Sequence, residues 1–291
     1  MQYHPLGAGA RQVSRLGYGA MHLSITGRPD EATGIRTVHA ALDHGVTLID
    51  TADVYCIDHN DIGHNERLIR KALRQWPGDR DRITVATKAG LTRPDGRWAR
   101  DGRPGHIRAA CDASLTALGV DRIDLYQFHA PDPRVPFPES VGTFRELRDE
   151  GKIRWLGLSN VTVSEIEEAS EIVGIHAVQN RLSPFFREAI HDGVLGHCDR
   201  MGIAFLAYSP VGGGRLNRRL PRHSVVGRIA AAHGVSPHAV VLAWVLAKSP
   251  SVIVIPSARS PAHAVDGASA AGIQLSPGEM RRIDRADFPT D

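Results

Sequence analysis

Lysine is scarce in this sequence: of 35 basic side chains only four, Lys71, Lys88, Lys152 and Lys248, are lysine. A lysine at a strand end therefore needs a reason. Cysteine is scarcer still. Cys56, Cys111 and Cys198 stand far apart and are odd in number, which argues against a disulfide framework and a CxxC zinc site and fits a reducing, cytoplasmic compartment. Long apolar runs are absent, since the longest, residues 239–247, is far too short to cross a bilayer. The opening MQYHPLGAGARQ has no apolar core of a secretion signal, so no membrane partner is expected. Nor is there an excess of one charge: 35 Lys+Arg stand against 32 Asp+Glu, a formal +3. Charged residues make up 23% and are scattered rather than blocked, which argues against a disordered tail and against nucleic acid as a partner.

What is present is a repeated pattern. Eight short runs rich in Val, Ile and Leu recur at residues 16–19, 46–50, 83–87, 123–128, 153–158, 177–179, 203–208 and 252–255. They are continuous rather than alternating, as strands buried on both faces of a parallel sheet are. Helical patterns lie between them. Ile35, Val38 and Leu42 share a face before Gly45, and Ile107, Cys111, Leu115 and Leu118 share one before Gly119. Thr162 and Glu165 form a capping box, Ser236-Pro237 and Ser260-Pro261 read as N-cap and first-turn proline, and Ser276-Pro277-Gly278-Glu279 starts a final helix. Eight βα units imply an α/β chain folded as a (β/α)8 TIM barrel, which at about 250 residues is one domain. A single barrel domain over residues 1–291 is expected. Gly7-Ala8-Gly9 lacks the third glycine of a phosphate-binding turn and reads as the turn of an N-terminal β-hairpin.

Barrel chemistry sits at the C-terminal ends of the strands. There the second run ends in Asp50 with Tyr55 five residues on, the third ends in Lys88, and the fourth in Phe128-His129. A structural ion pair would account for any one of these, but four on adjacent strands make sense as a proton-donor assembly. A tyrosine with a pKa of about 10 exchanges its proton poorly near neutrality, and an adjacent ammonium lowers that value. Asp50 would hold Lys88 charged, and His129 would position a carbonyl oxygen within reach of the phenol.

Three other clusters invite a reading. Pro256-Ser257-Ala258-Arg259 runs into the helix that starts at Ser260-Pro261, offering an anion free N–H groups, a positive dipole end and a planar fork of donors; ordinary capping is the alternative. Gly212-Gly213-Gly214-Arg215, with Arg218, Arg219 and Arg222 behind it, is either a pyrophosphate clasp or a solvated basic loop. Asp58, His59, Asp61 and His64 lack the spacing of a metal site, so no metal is expected.

The stretch GVTLIDTADVY over residues 45–55, followed by NERLI at 65–69, resembles the aldo-keto reductase signature, and the resemblance extends over nearly the whole chain. It implies a barrel that uses NADPH or NADH without a metal, with Asp50, Tyr55, Lys88 and His129 as catalytic tetrad. It further implies that Ser159, Asn160 and Gln179 hold the nicotinamide carboxamide, that Tyr208 stacks on the ring beside Ser209 and Pro210, and that Gly212 lies in the clasp. Pro256, Ser257, Ala258 and Arg259, with His263 and Asp266, would take the adenosine 2′-phosphate end.

Departures are visible too. Cys56 stands where the family usually has glycine, Asp266-Gly267 where it often has Glu-Asn on adenine, and Ser257 leaves the preference for NADPH over NADH mainly to Arg259. In overall length and in residues 15–21 and 157–162 the sequence is similar to compact bacterial members, pyridoxal reductases among them. The chain after the eighth run is short, without the long C-terminal loop of the family's steroid-binding members, which implies an open site for small or varied carbonyls. The implied activity is NADPH-dependent reduction of an aldehyde or ketone by a monomer; the rival is a sensor that binds NADPH and turns over little.

Overall fold

The computed structural model describes residues 1–291. Eight parallel strands form one sheet: β1 (Tyr18–Gly19), β2 (Leu48–Asp50), β3 (Thr84–Ala89), β4 (Ile123–Phe128), β5 (Ile153–Ser159), β6 (Ala177–Arg181), β7 (Ala204–Tyr208) and β8 (Val252–Val254), each paired with the next. The sheet curls until its edges meet. Leu16 forms a parallel bridge to Val254, the Gly17 N–H donates to the Val254 carbonyl, and the Val254 N–H donates to that of Arg15. The result is the (β/α)8 barrel expected from the eight runs.

Helices α1 (Glu31–Asp43), α2 (His64–Gln75), α3 (Pro104–Leu118), α4 (Phe137–Asp149) and α5 (Val163–Ile172) follow the first five strands. Then α6 (Glu188–His191) and α7 (Val194–Met201) follow β6, α8 (Gly213–Leu216), α9 (Ser224–His233) and α10 (Pro237–Leu246) follow β7, and α11 (Pro261–Ser269) and α12 (Pro277–Arg285) follow β8. Their starts are where capping chemistry put them. Thr162 and Ser276 each complete a capping box, and Ser236 accepts from the Ala239 N–H, worth about 1 kcal/mol apiece. Helix α10 is buried from Ala239 to Leu246, and no single helix is long and apolar enough to cross a membrane.

Side chains alternate across each strand, which sorts the barrel into an inside and an outside. The outward residues, among them Ile49, Tyr126, Phe128, Leu156, Val178 and Phe205, pack with the helices into the larger core. The inward ones begin apolar, with Leu48, Ala86, Leu125, Ala177 and Ala204 in a smaller inner cluster. Two residues later the first four turn polar, to Asp50, Lys88, Gln127 and Gln179, all buried, while Ala204 is followed by Leu206. Both faces are covered, so each run reads as continuous.

The N-terminal hairpin, Tyr3–Pro5 against Gln12–Ser14, inserts Leu6 and Val13 into that inner cluster and so plugs the apolar end. Its turn presses on the residue before β6. Gly7 has φ 100°, and a Cβ there would stand 2.4 Å from the His176 carbonyl oxygen, so only glycine fits.

Strand limits differ from the expected ones in both directions. β3, β5 and β6 run on to Ala89, Ser159 and Arg181, because inward polar residues continue the ladder after the apolar run stops. β1 shrinks to Tyr18–Gly19. A second hairpin pairs Leu91–Thr92 with Ala99–Arg100.

Candidate active site

The polar ends of β2, β3 and β4 converge at the open mouth. Asp50 closes β2, and Lys88 enters from the neighbouring β3 with no exposed surface. Its Nζ donates to Asp50 Oδ2 at 2.7 Å, to the Thr51 carbonyl at 2.9 Å and to the Tyr55 hydroxyl at 3.0 Å. An ammonium has three donors, and here three acceptors meet them. A planar guanidinium would not reach these three from one compact point, which answers why a lysine stands here. The other three lysines lie at the surface pairing with Glu31, Asp112 and Asp284.

The turn after β2 folds Tyr55 back over the ammonium, with Nζ 4.8 Å from the ring centroid. His129, just past β4, stands edge-on to Tyr55 at 5.8 Å between centroids. The second hairpin adds a third ring: Trp98 is 6.4 Å from Tyr55 and 6.5 Å from His129. Arg93 holds that wall in place, stacking on Trp98 at 3.9 Å and donating to the carbonyls of Cys56 and Ile57 at 3.2 Å. The expected four residues are thus brought together, and Trp98 joins them.

Electrostatics corrects one expectation. The adjacent ammonium favours the Tyr55 phenolate, but burial, then the Asp50 charge, outweigh it and leave the phenol well above its ordinary value. Lys88 is itself lowered by burial, against the pull of Asp50. His129 is held well below its usual range by burial and by Lys88, so the ring is neutral. The cluster therefore keeps its phenol proton and polarises it through one hydrogen-bonded cation.

Two buried carboxyls flank this cluster, neither singled out from sequence except within the motif. Asp53 is raised well above its ordinary value by burial and by Glu66. Glu66 is raised by burial while accepting from Thr87 Oγ1 at 2.6 Å. A carboxyl raised in the folded state contributes stability that is present below its unfolded pKa and lost as pH rises towards the folded one. Asp53→Asn keeps an oxygen for the Val54 N–H and cannot ionise. It is expected to stabilise the fold by on the order of 1–2 kcal/mol at neutral pH, with the gain in Tm growing as pH rises from about 5 to about 8. Calorimetry at several pH values checks this; a gain that shrinks with rising pH would show Asp53 to be a favourably paired carboxylate.

The later strand ends are drawn into one polar net. Ser159 Oγ donates to the Gln179 carbonyl at 2.8 Å. Asn160, with φ 59°, donates Nδ2 to the His129 carbonyl at 2.9 Å and accepts from the Tyr208 hydroxyl at 2.8 Å. Gln179 Nε2 donates to Asp50 Oδ1 at 2.7 Å. Gln127, missed in the sequence, donates to the same oxygen at 3.3 Å. Ser209 has φ 49° ahead of Pro210. Gly212 has φ 88°, and a Cβ there would meet the Phe185 ring at 2.7 Å.

After β8, the Pro256 carbonyl accepts the Gly19 N–H at 2.9 Å and that of Ala258 accepts the Tyr18 hydroxyl at 2.8 Å, leaving Ser257 and Arg259 exposed. A Cβ on Gly19 would stand 3.0 Å from Ser257 Oγ, so the backbone passes close beneath that hydroxyl. Ser260 caps α11 through the His263 N–H at 3.4 Å. This exposed hydroxyl, guanidinium and helix start fit an anion.

Asp266 Oδ2 accepts from Ser236 Oγ at 2.7 Å. In the Gly-rich loop, Arg215 donates to the Thr290 carbonyl and Arg219 to those of Pro289 and Asp291. These two guanidiniums hold the C-terminal segment against the loop. The Asp58–His64 stretch is tied up locally: Asp61 pairs with Arg28, His64 bonds Ser24, and Asp58 caps Asn60. A cavity of about 610 Å³ lies behind the site between α2, α3 and residues 91–95 and is lined by none of the four converging residues.

Comparison with known proteins agrees with this arrangement. Residues 15–287 match the model of the aldo/keto reductase family. A probable aldo-keto reductase of Glycine max is 33% identical, the match covering 96% of this chain and 86% of that protein. Among solved structures, the glycerol dehydrogenase of Gluconobacter oxydans superposes with a TM-score of 0.82 at 29% identity, covering 96% of this chain and 93% of that one. An aldo/keto reductase of Klebsiella pneumoniae, in complex with NADP and acetate, superposes with a TM-score of 0.81 at 28% identity, covering 98% and 95%.

Proposed function

The chain belongs to the aldo/keto reductase family, and from that premise we propose that it reduces an aldehyde or ketone to the alcohol with NADPH, Tyr55 giving the proton. The observation that carries this reading is the dry contact of the Lys88 ammonium with both Asp50 and the Tyr55 hydroxyl, next to a neutral imidazole.

The cofactor, when bound, supplies the hydride. Everything else falls to the chain. Tyr55 transfers its proton to the carbonyl oxygen as negative charge develops there, and Lys88 stabilises the phenolate left behind. His129 orients that oxygen with a neutral N–H. Ser159, Asn160 and Gln179 are the groups for the nicotinamide carboxamide, and Tyr208 for the face of the ring. Trp98, 48% exposed and edge-on to Tyr55 and His129, offers an apolar wall that favours a substrate with an aromatic or aliphatic body.

At the other end, Ser257, Arg259 and the start of α11 receive the 2′-phosphate, supported by the exposure of both side chains. A panel of aldehydes and ketones assayed with NADPH and NADH in parallel tests the whole reading, many turnovers per enzyme distinguishing an enzyme from a sensor. Arg259→Met is expected to raise KM for NADPH about 10- to 100-fold and to leave NADH nearly unchanged, the scale of a charge-assisted hydrogen-bond pair. An equal loss with both cofactors would remove Arg259 from the phosphate site.

A further inference from the structure

One buried polar side chain of the barrel interior has no part in the reaction just described. Gln127 has no exposed surface. It lies two residues before His129, opposite Lys88 of β3 and Gly157 of β5 in the strand register. A carboxamide is kept in a dry interior only where its donors and acceptor are met. Here Nε2 donates to Asp50 Oδ1 at 3.3 Å, and Oε1 accepts from Gln179 Nε2 at 3.2 Å. Asp50 is thereby divided: Oδ1 takes the amides of Gln127 and Gln179, and Oδ2 takes Lys88. β5 is cut away to admit this arrangement, since a Cβ on Gly157 would stand 2.9 Å from Gln127 Cγ.

We propose that Gln127 is a positioning residue for the proton donor: by holding Oδ1 of Asp50 it keeps Oδ2 on Lys88 and so keeps the ammonium against the Tyr55 hydroxyl. The proposal rests on the reading of Tyr55 as the acid. A buried carboxylate short of a donor rotates or takes up a proton. Either response withdraws negative charge from Lys88, which then gives up its own proton at lower pH. The other titratable groups around this cluster are Asp53 and Tyr55 from the turn after β2, Glu66 of α2, His129 after β4 and Tyr208 of β7.

The test compares pH profiles of kcat, and KM for NADPH, in wild type, Gln127→Met and Gln127→Glu, with thermal unfolding of each. Gln127→Met keeps the shape but not the donor. It is expected to lower kcat roughly tenfold, the scale of one hydrogen bond to a charged group, to move the alkaline limb to lower pH and to leave KM for NADPH unchanged. Gln127→Glu, as the neutral acid, donates to Oδ1 as the amide does, so its kcat is expected to recover towards wild type as pH falls and to drop as the new carboxyl ionises beside Asp50. Wild-type kcat with an unmoved alkaline limb in Gln127→Met overturns the proposal, as does a Gln127→Glu profile parallel to that of wild type. If Gln127→Met does not fold, the Gln127→Glu profile decides alone. Wild type that reduces no carbonyl with NADPH brings down the reading of the site, and the proposal with it.

Discussion

Tyr55→Phe is expected to lower kcat by about 10²- to 10⁴-fold, the range supplied by a positioned general acid, while the protein stays folded and binds NADPH about as tightly as wild type. Phenylalanine retains the ring that packs edge-on against Trp98 and His129 and deletes one oxygen. Lys88 loses one of its three acceptors but keeps Asp50 and the Thr51 carbonyl, so the cation stays where it is. Steady-state kinetics and the quenching of tryptophan fluorescence by NADPH separate the two effects. An interaction made only in the transition state removes kcat and kcat/KM together. A variant within a few-fold of wild type would move the acid elsewhere.

The second large effect is at Lys88. Lys88→Met leaves Asp50 as a buried carboxylate, with only the amides of Gln127 and Gln179 at Oδ1 to satisfy it. Breaking a buried pair in this way costs about 3–5 kcal/mol, and in a chain of this size that is roughly 10 °C in Tm. Activity is expected to fall at least as far as in Tyr55→Phe. Combining Lys88→Met with Asp50→Asn separates the two losses: the stability returns in large part because no charge is left unpaired, and the activity does not. Lys88→Arg is expected to be as inactive as Lys88→Met, since the position demands a point charge among three converging acceptors and not merely a positive one. Recovery of turnover by arginine would show that net charge alone suffices.

Much of this site could be read before any coordinates because a barrel strand projects every second residue inwards. Asp50, Lys88 and His129 each fall at the end of an apolar run, where that alternation and the general location of barrel chemistry coincide. Gln127 obeys the same period, two before His129, yet it sits within a run whose apolar neighbours face outwards, so it read as part of a continuous strand. Its function depends on Gly157 of the next strand having no side chain, a relation between strands rather than along one. The Arg215 and Arg219 contacts with residues 289–291 join segments some 70 residues apart, and no local pattern records them. The same holds for Asp266, drawn to the cap of α10 by Ser236. The hairpin that carries Trp98 has strands of two residues each, too short for any periodicity to appear.

The barrel is joined between β1 and β8 by little: one bridge at Leu16, the short run of bonds from Gly17 to Pro256, and the Arg15 guanidinium reaching the carbonyls of Val252, Leu246 and Ser249. That seam runs directly into Ser257 and Arg259. Local opening takes place where few bonds must break, and a ligand that binds only the closed arrangement adds its own free energy to the cost of opening. If the proposed anion binds at residues 257–259, it would act as a clasp on the seam itself, its binding free energy adding to the cost of parting the first and last strands.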